Sequence, residues 1–370
     1  MPHEHPAKQR PGSIAATLGV LAWWAVLAAA LWTLLGWVVR TDPTDADGIE
    51  STIVFAALLS ETFAFHLGLG VTGVAAVALA LGRCRTATAA VVLAATHLAP
   101  AAWLWVRPTP APAGGPTLTV LSANIQAGNA DAERLLEFVD RTSPDVVVVQ
   151  EIDPAIHRGL LDGLASRFET GHAALIASPY FSQATYTNLP MRAPPSELMI
   201  GSRFPVPQID LEIEFEGRLI RVLNVHAYPP RRLRLVADQR RSIPEFAAWA
   251  RSAMADADAT ILAGDFNAPF NTGHLRELRA AGFREAHDEA GRGRGSTWPH
   301  RGVLRYTPGI RLDNIMFAGA LRCVESRVLG DVGSDHRPIL ATFEIVPDDA
   351  SSPSLRPLAD RRRRRRGRSG

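Results

Sequence analysis

Three short stretches of this chain carry residue types that do phosphoryl chemistry. They are Gln150-Glu151, Gly264-Asp265-Phe266-Asn267 and Ser334-Asp335-His336, with Asn124 upstream of the first and His226 between the first and second. Carboxylates, an amide and an imidazole gathered at strand ends can hold a divalent cation and activate water for phosphoester hydrolysis. Each fragment alone is a short motif with an ordinary alternative. Their order along one chain gives them joint weight.

Asn124 and Glu151 each stand where an apolar strand gives way to polar residues, so neighbouring strands would offer an amide oxygen and a carboxylate to one hard cation. The competing uses are a strand-ending turn for Asn124 and a solvated strand end for Glu151. Asp265 and Asn267 follow the apolar run Ile261-Leu262-Ala263. A carboxylate there can orient or deprotonate water and the amide can hold a phosphate in line, although Asp-x-Asn is also an ordinary turn and an occasional calcium loop. An imidazole such as that of His336 can stabilise charge on a phosphoryl oxygen or donate a proton. His97, His157 and His172 lie in no such context and read as ordinary core or surface histidines.

The elements that must position these groups are legible from apolar patterning. Strands are expected at Thr117–Ile125, Val146–Val149, Leu198–Ser202, Ile209–Phe215, Leu219–His226, Thr260–Asp265, Asp313–Phe317 and Ile339–Ile345. Helices are expected at Ala130–Arg141, Arg234–Ala253 and His274–Ala281. Glu216-Gly217 marks a hairpin. Strands outnumber helices and some pair as hairpins, which points to an α+β sandwich instead of a doubly wound parallel sheet.

The first hundred residues have a different composition. Ile14–Val39, Ile53–Gly82 and Ala87–Val106 are apolar and long enough to cross a hydrocarbon core of ~30 Å, which predicts three spans in a membrane region over 14–106. Lys8 and Arg10 in the leader (1–13) and Arg83 and Arg85 in the second loop should stay inside, whereas the first loop carries Asp42, Asp45, Asp47 and Glu50. Three spans then put everything after Arg107 outside the cytoplasm. Gly68 and Gly70 are the expected place for any break in the second segment, and Glu61 is read as interfacial with the span starting near Phe63. A Pro/Gly-rich linker covers 107–116. Cys84 and Cys323 are too far apart in sequence and context to suggest a disulfide framework.

The stretches Leu121-Ser-Ala-Asn124-Ile, Asp145-Val-Val-Val-Val-Gln-Glu151, Gly201-Ser-Arg203-Phe-Pro205, Asn224-Val-His226, Gly264-Asp265-Phe-Asn267-Ala-Pro, Arg311-Leu-Asp313-Asn-Ile and Gly333-Ser334-Asp335-His336-Arg-Pro stand in one order over 117–346. In these motifs the chain resembles the endonuclease/exonuclease/phosphatase superfamily. The resemblance implies a DNase I-like four-layer α/β sandwich of the α+β class, preceded here by a helical transmembrane region. It implies metal ligation by Asn124, Glu151 and Asp335, and catalysis by His226, Asp265, Asn267, Asp313 and His336. Mg²⁺, or Mn²⁺ in its place, is the implied cofactor. Asp313 would orient the His336 ring, and His226 would be a second phosphate contact. Trp298, in Ser296-Thr-Trp-Pro299, is expected either in the substrate pocket or in the core; Arg203 is expected to brace a strand. The chain departs from the family at Asn314, where an aromatic residue is common, and 154–197 carries no motif that can be placed.

Charge bears on the substrate. Residues 107–346 contain 26 Arg against 28 Asp plus Glu, so the domain lacks the broad basic footprint of a generic nucleic-acid binder. Arg231, Arg232 and Arg234 either bring positive charge to the site mouth, which places Arg231 and Arg232 among the substrate-binding candidates, or form the solvated start of a helix. Arg361–Arg366 and Arg368 lie in a tail, 347–370, expected to be disordered. About ten linker residues would hold the domain within ~30 Å of the lipid surface, so lipid-linked phosphate competes with nucleic acid as the substrate and membrane lipid is an expected partner; no protein partner is evident. The expectation is a multi-pass membrane protein with an extracytoplasmic metal-dependent phosphoesterase. A membrane-bound scaffold that has lost catalysis is the alternative, and retention of Glu151, Asp265, Asp335 and His336 weighs against it.

Overall fold

A computed structural model describes residues 13–39, 49–129, 131–201, 205–231 and 233–346. Lys8, Arg10, the acidic residues 42–47, Arg203, Arg232 and the Arg-rich tail lie outside the described residues. The described chain divides into two compact units, one of residues 13–39 and 56–103 and the other of residues 49–55 and 104–346.

The N-terminal helices are α1 (Ser13–Val38), α2 (Ile49–Thr62), α3 (Ala64–Ala80) and α4 (Cys84–Val106). Two helical segments, Ile14–Val38 and Cys84–Val106, are long and apolar enough to cross a membrane. The middle segment is not the straight span that its composition suggests. It bends by 71° between Thr52–Thr62 and Ala64–Ala80, and it counts as a third span only if the bent pair is one crossing. The bend falls at Phe63 (φ −100°, ψ 17°), not at Gly68 or Gly70. Gly68 has a packing role instead, because a Cβ there would lie 2.8–2.9 Å from Leu98 and His97 side-chain atoms. Within this unit Thr33 Oγ1 meets His97 Nε2 at 2.9 Å, and Ser60 Oγ donates to the Trp32 carbonyl at 2.7 Å, so polar groups among the apolar helices find partners.

The other unit is built on two six-stranded sheets. The first has the order β11 (Leu321–Val328), β12 (Ile339–Ile345), β1 (Thr117–Asn124), β2 (Val146–Gln150), β4 (Gln183–Thr187), β3 (Thr170–Ala174). The second runs β5 (Met191–Ile200), β6 (Val206–Phe215), β7 (Arg218–His226), β8 (Ala259–Asp265), β10 (Asp313–Gly319), β9 (Arg284–Glu285). Each sheet has one parallel pair near its centre, β1–β2 and β7–β8, and antiparallel neighbours elsewhere. Strand alternation explains the layers. Leu118, Val120, Val146, Val148, Ile261 and Ala263 face the space between the sheets. The alternate residues Leu121, Val147 and Val149 pack outward on α5 (Ala132–Thr142) and α6 (Arg158–Ala165), through Leu135, Val139, Leu160 and Leu164. Leu223, Val225 and Leu262 pack on Phe246, Ala247 and Ala250 of α7 (Leu233–Asp256). The order helix, sheet, sheet, helix is the expected α+β sandwich, and each buried Val, Leu or Ile contributes ~1.5–3 kcal/mol to holding it.

α5 starts where Asp131 caps the Arg134 N–H and stops at Ser143, which is left-handed at φ 42°. Several elements carry no apolar pattern, and the sequence reading passes over them. β4 is buried along its whole length yet reads Gln-Ala-Thr-Tyr-Thr, because its polar side chains bond inside the sandwich. β5 begins at Met191 instead of Leu198, with Pro194 and Pro195 tolerated at a sheet edge and the register shifting beside them. β3, β9 and β11, with α6 and α8 (Ala286–Ala290), are likewise short or edge elements.

Candidate active site

The strand registers bring the chemistry to one end of the sandwich. Asn124 is paired with Gln150 across β1 and β2, so Glu151 follows beside it. His226 is paired with Asp265 across β7 and β8, and Asp265 with Asp313 across β8 and β10. His336 precedes β12, which pairs with β1. The parallel pairs end and the antiparallel ones begin at this edge, so residues from both sheets converge.

Backbone geometry serves that convergence. Glu151 and Asn267 have φ of 59° and 50°, turning the chain sharply after β2 and β8. Gly264 has φ 148°, and a Cβ there would lie 1.9 Å from the Val225 carbonyl oxygen. Only glycine lets β8 approach β7 closely enough at this point.

Asp265 is almost fully buried and forms the hub. Its Oδ1 accepts from the Asn267 backbone N–H at 2.8 Å, and its Oδ2 accepts from Asn124 Nδ2 at 3.0 Å and Asn267 Nδ2 at 3.1 Å. Burial pushes its carboxyl up to about 6, against the pull of the nearby His336 charge. Asn124 Nδ2 also donates to Glu151 Oε1 at 3.0 Å, while its Oδ1 accepts from the Gln126 N–H. The amide therefore ties the two acids together, and a ligand role requires it to present oxygen instead. Burial raises the Glu151 carboxyl, with the Asn124 hydrogen bond opposing.

His226 Nε2 lies 3.7 Å from Glu151 Oε1 and 3.8 Å from Asp265 Oδ2. Neither ring nitrogen has a hydrogen-bond partner among the described residues, and burial lowers its pKa, which favours the neutral ring with its one free lone pair. His336 is its opposite. Burial alone would favour the neutral ring, but the Asp313 and Asp265 carboxylates outweigh it and push the pKa up to about 10. Asp313 Oδ2 meets His336 Nδ1 at 2.8 Å, and His336 Nε2 points toward Asp265 Oδ2 at 3.9 Å.

The outer residues divide. Asp335 is outside the tight cluster: its Oδ2 accepts from Trp298 Nε1 at 3.2 Å, and its backbone carbonyl accepts from the His300 N–H at 2.7 Å. Trp298 thus holds an acid of the site by its indole N–H. Arg231 is exposed, and its charge adds only a small pull beside burial, the main influence on Glu151 and His226. Asn267 Nδ2 is committed to Asp265 and the Ala227 carbonyl.

Several contributors have no signature in the sequence reading. The Phe181 ring sits 5.3 Å from that of His226, and a lone aromatic in the motif-free stretch carries no signal. Gln208 Oε1 accepts from the His226 N–H at 2.7 Å, and Ser334 Oγ donates to the Asn124 carbonyl at 2.8 Å, fixing the last loop to the first strand. Gln150 Nε2 donates to Asn224 Oδ1 at 2.7 Å, one polar rung between the sheets. Both residues stand inside quoted motifs, and only the stacking of the sheets reveals what they do.

Ligand atoms of Glu151, His226 and Asp265 all lie within 4.8 Å of one another, as do those of Asp265, Asp313 and His336. The first group suits a cation, with two acids and a neutral imidazole. In the second, His336 Nδ1 and Asp313 Oδ2 are already committed to each other at 2.8 Å.

Comparison with protein families matches residues 121–336 to the Endonuclease/Exonuclease/phosphatase family. Among solved structures, an endonuclease/exonuclease/phosphatase family protein from Leptotrichia buccalis is 17% identical, with a TM-score of 0.52, covering 62% of this chain and 100% of that one. A protein of the same description from Beutenbergia cavernae (16% identity, TM-score 0.49) covers 64% of this chain and 73% of its own. A mannosyl-6-phosphatase from Bacteroides thetaiotaomicron (13% identity, TM-score 0.49) covers 62% and 100%. No curated protein matches the chain. With the family match extending over more than half its length, from β1 to the loop that carries His336, the chain belongs to the endonuclease/exonuclease/phosphatase family.

Proposed function

We propose that this protein is a membrane-anchored, divalent-metal-dependent phosphoesterase. The observation that carries the reading is the convergence of Glu151, His226, Asp265, Asp313 and His336 from both sheets, with His336 Nδ1 held by Asp313 and both His226 ring nitrogens without a hydrogen-bond partner among the described residues. Glu151 and Asp265 are the oxygen groups that would hold Mg²⁺ or Mn²⁺, with Asn124 if its amide presents oxygen, and His226 would face the phosphate beside them. Such an ion supplies positive charge against a phosphoryl oxygen and makes water a better nucleophile when bound.

The chain's own residues do the rest. His336, kept protonated and oriented by Asp313, donates a hydrogen bond to a phosphoryl oxygen where charge builds. Asp265, held by three donors, orients the attacking water. Asn267 keeps that carboxylate in place, and Trp298 does the same for Asp335. Arg231 meets the anionic substrate at the mouth.

In this reading 14–106 anchors the chain, 117–346 is the catalytic domain, and three crossings put the domain outside the cytoplasm. Nucleic acid and lipid-linked phosphate are the two substrate classes. The full chain in nanodiscs, assayed with plasmid DNA, RNA, a polyprenyl pyrophosphate and a phospholipid, tests them in parallel. Hydrolysis should require Mg²⁺ or Mn²⁺ and stop with chelator, and Asp265→Asn or His336→Ala should each lower turnover by ~10²–10⁴-fold. Full activity in both variants would overturn the assignment.

A further inference from the structure

The loop between Trp298 and Ile310 exposes side chains that a water-facing loop has no use for. Val303 is 83% exposed, Leu304 55% and Tyr306 76%, within the single 3₁₀ turn Val303–Tyr306. Exposed Arg301 and Arg305 flank them, and the Arg305 guanidinium lies 4.7 Å from the centre of the Tyr306 ring. This loop leaves the site itself, since Trp298 and His300 both hydrogen-bond to Asp335.

Two other loops at the site carry the same signature. Tyr180, 57% exposed, adjoins Phe181, whose ring packs on His226. Ile156, 56% exposed, stands in the loop that follows Glu151. Exposed apolar side chains therefore stand on three loops that adjoin one site, and Arg301 and Arg305 are exposed on one of those loops. Apolar side chains with arginines on the same turn, as Val303, Leu304 and Tyr306 stand with Arg301 and Arg305, are what a headgroup interface with anionic lipid selects. A nucleic acid could use the tyrosines and arginines, but it offers nothing to Val303, Leu304 and Ile156.

The chain also has little room to leave a membrane. Ten residues, 107–116, separate α4 from β1, a reach of ~30 Å at most. Both ends of that linker are tied to the catalytic domain. The Arg107 guanidinium bonds to the His287, Asp288 and Gly291 carbonyls, and the Ala113 and Gly114 N–H groups donate to the Glu344 carboxylate.

We propose that the Arg301–Tyr306 turn, with Tyr180 and Ile156, is a docking rim that seats the site on an anionic bilayer, so that the substrate is a phosphoester embedded in that surface. This rests on the phosphoesterase reading for its chemistry, but the docking itself can be measured without activity.

The full chain carrying Cys84→Ser is labelled with a nitroxide at Leu304→Cys, or at Glu216→Cys on the distant hairpin, and reconstituted in phosphatidylglycerol/phosphatidylethanolamine vesicles. The label at 304 should collide with oxygen more than with a water-soluble nickel chelate, and the label at 216 should show the reverse. Equal nickel access at both positions would overturn the docking. Hydrolysis is then compared for dioleoyl and dibutyryl phosphatidic acid, which share a headgroup and differ in embedding. Val303→Asp with Leu304→Asp should slow the vesicle reaction by ~10-fold or more while the soluble reaction stays within ~2-fold. An equal loss on both substrates would overturn the rim's role. If the unaltered chain hydrolyses neither, the embedded-phosphoester part of the proposal fails, and the nitroxide result alone decides the docking.

Discussion

The Asp313 carboxylate and the His336 imidazole are both buried and share a 2.8 Å hydrogen bond, so neutralising either strands the other. Asp313→Asn is expected to bring the His336 pKa down from its raised value and to cut turnover by ~10²-fold or more, read by histidine NMR titration beside the assay. His274 illustrates the reverse, away from the site. Burial, aided by the Arg240 charge, lowers its pKa to about 3, so the folded protein holds it neutral. Its stabilising contribution is complete above the unfolded pKa near 6.5 and is lost as pH falls from there toward 3, at ~1.4 kcal/mol per pH unit. Thermal unfolding of His274→Gln should show a flatter acid limb between those values; an unchanged slope would reject the account. At this scale the sequence was generous with charged groups and silent on their holders. Asp265 and His336 announce themselves by type and neighbours. Phe181, Gln208 and the indole N–H of Trp298 act through partners 18 or more residues away, which no local pattern records.

Among the elements, β8 shows how a motif residue can serve the backbone instead of the chemistry. A Cβ at Gly264 would collide with the Val225 carbonyl of the parallel neighbour, so Gly264→Ala must push β7 and β8 apart just where His226 faces Asp265. A loss of ~1–3 kcal/mol is expected, with activity falling further than stability because the two side chains share the shifted register. Denaturant unfolding and turnover on one preparation would separate the two effects. Strands with alternating or continuous apolar residues were legible to within a few residues, as at Ile339–Ile345 and Asp313–Gly319. Those stabilised by buried amides and hydroxyls were not: β4 reads as loop because its Gln183 and Thr187 bond across the structure instead of burying hydrocarbon. The bend at Phe63 was misjudged for a related reason. Glycine in apolar helices signals close packing as often as a break, and Gly68 lies against α4.

For the whole molecule, the parity of membrane crossings decides which compartment sees the site. If Thr52–Thr62 and Ala64–Ala80 form one bent crossing, α1 and α4 make it three, and an alkaline phosphatase fused after Pro116 should be active outside the cytoplasm. A silent fusion would mean that the bent pair re-enters on its own side. The sheet order carries a separate consequence. β12, the last strand described, lies between β11 and β1, so the first strand of the domain waits for the last, and Ser334 then fastens the final loop to the Asn124 carbonyl. During synthesis a chain that has reached Asp265 or even Asp313 owns most of the reactive groups but has no His336 to face them and no partner for the free edge of β1. A product truncated before Ile339–Ile345 leaves that edge of β1 unpaired however intact its earlier motifs, and on the proposed reading it should be inactive.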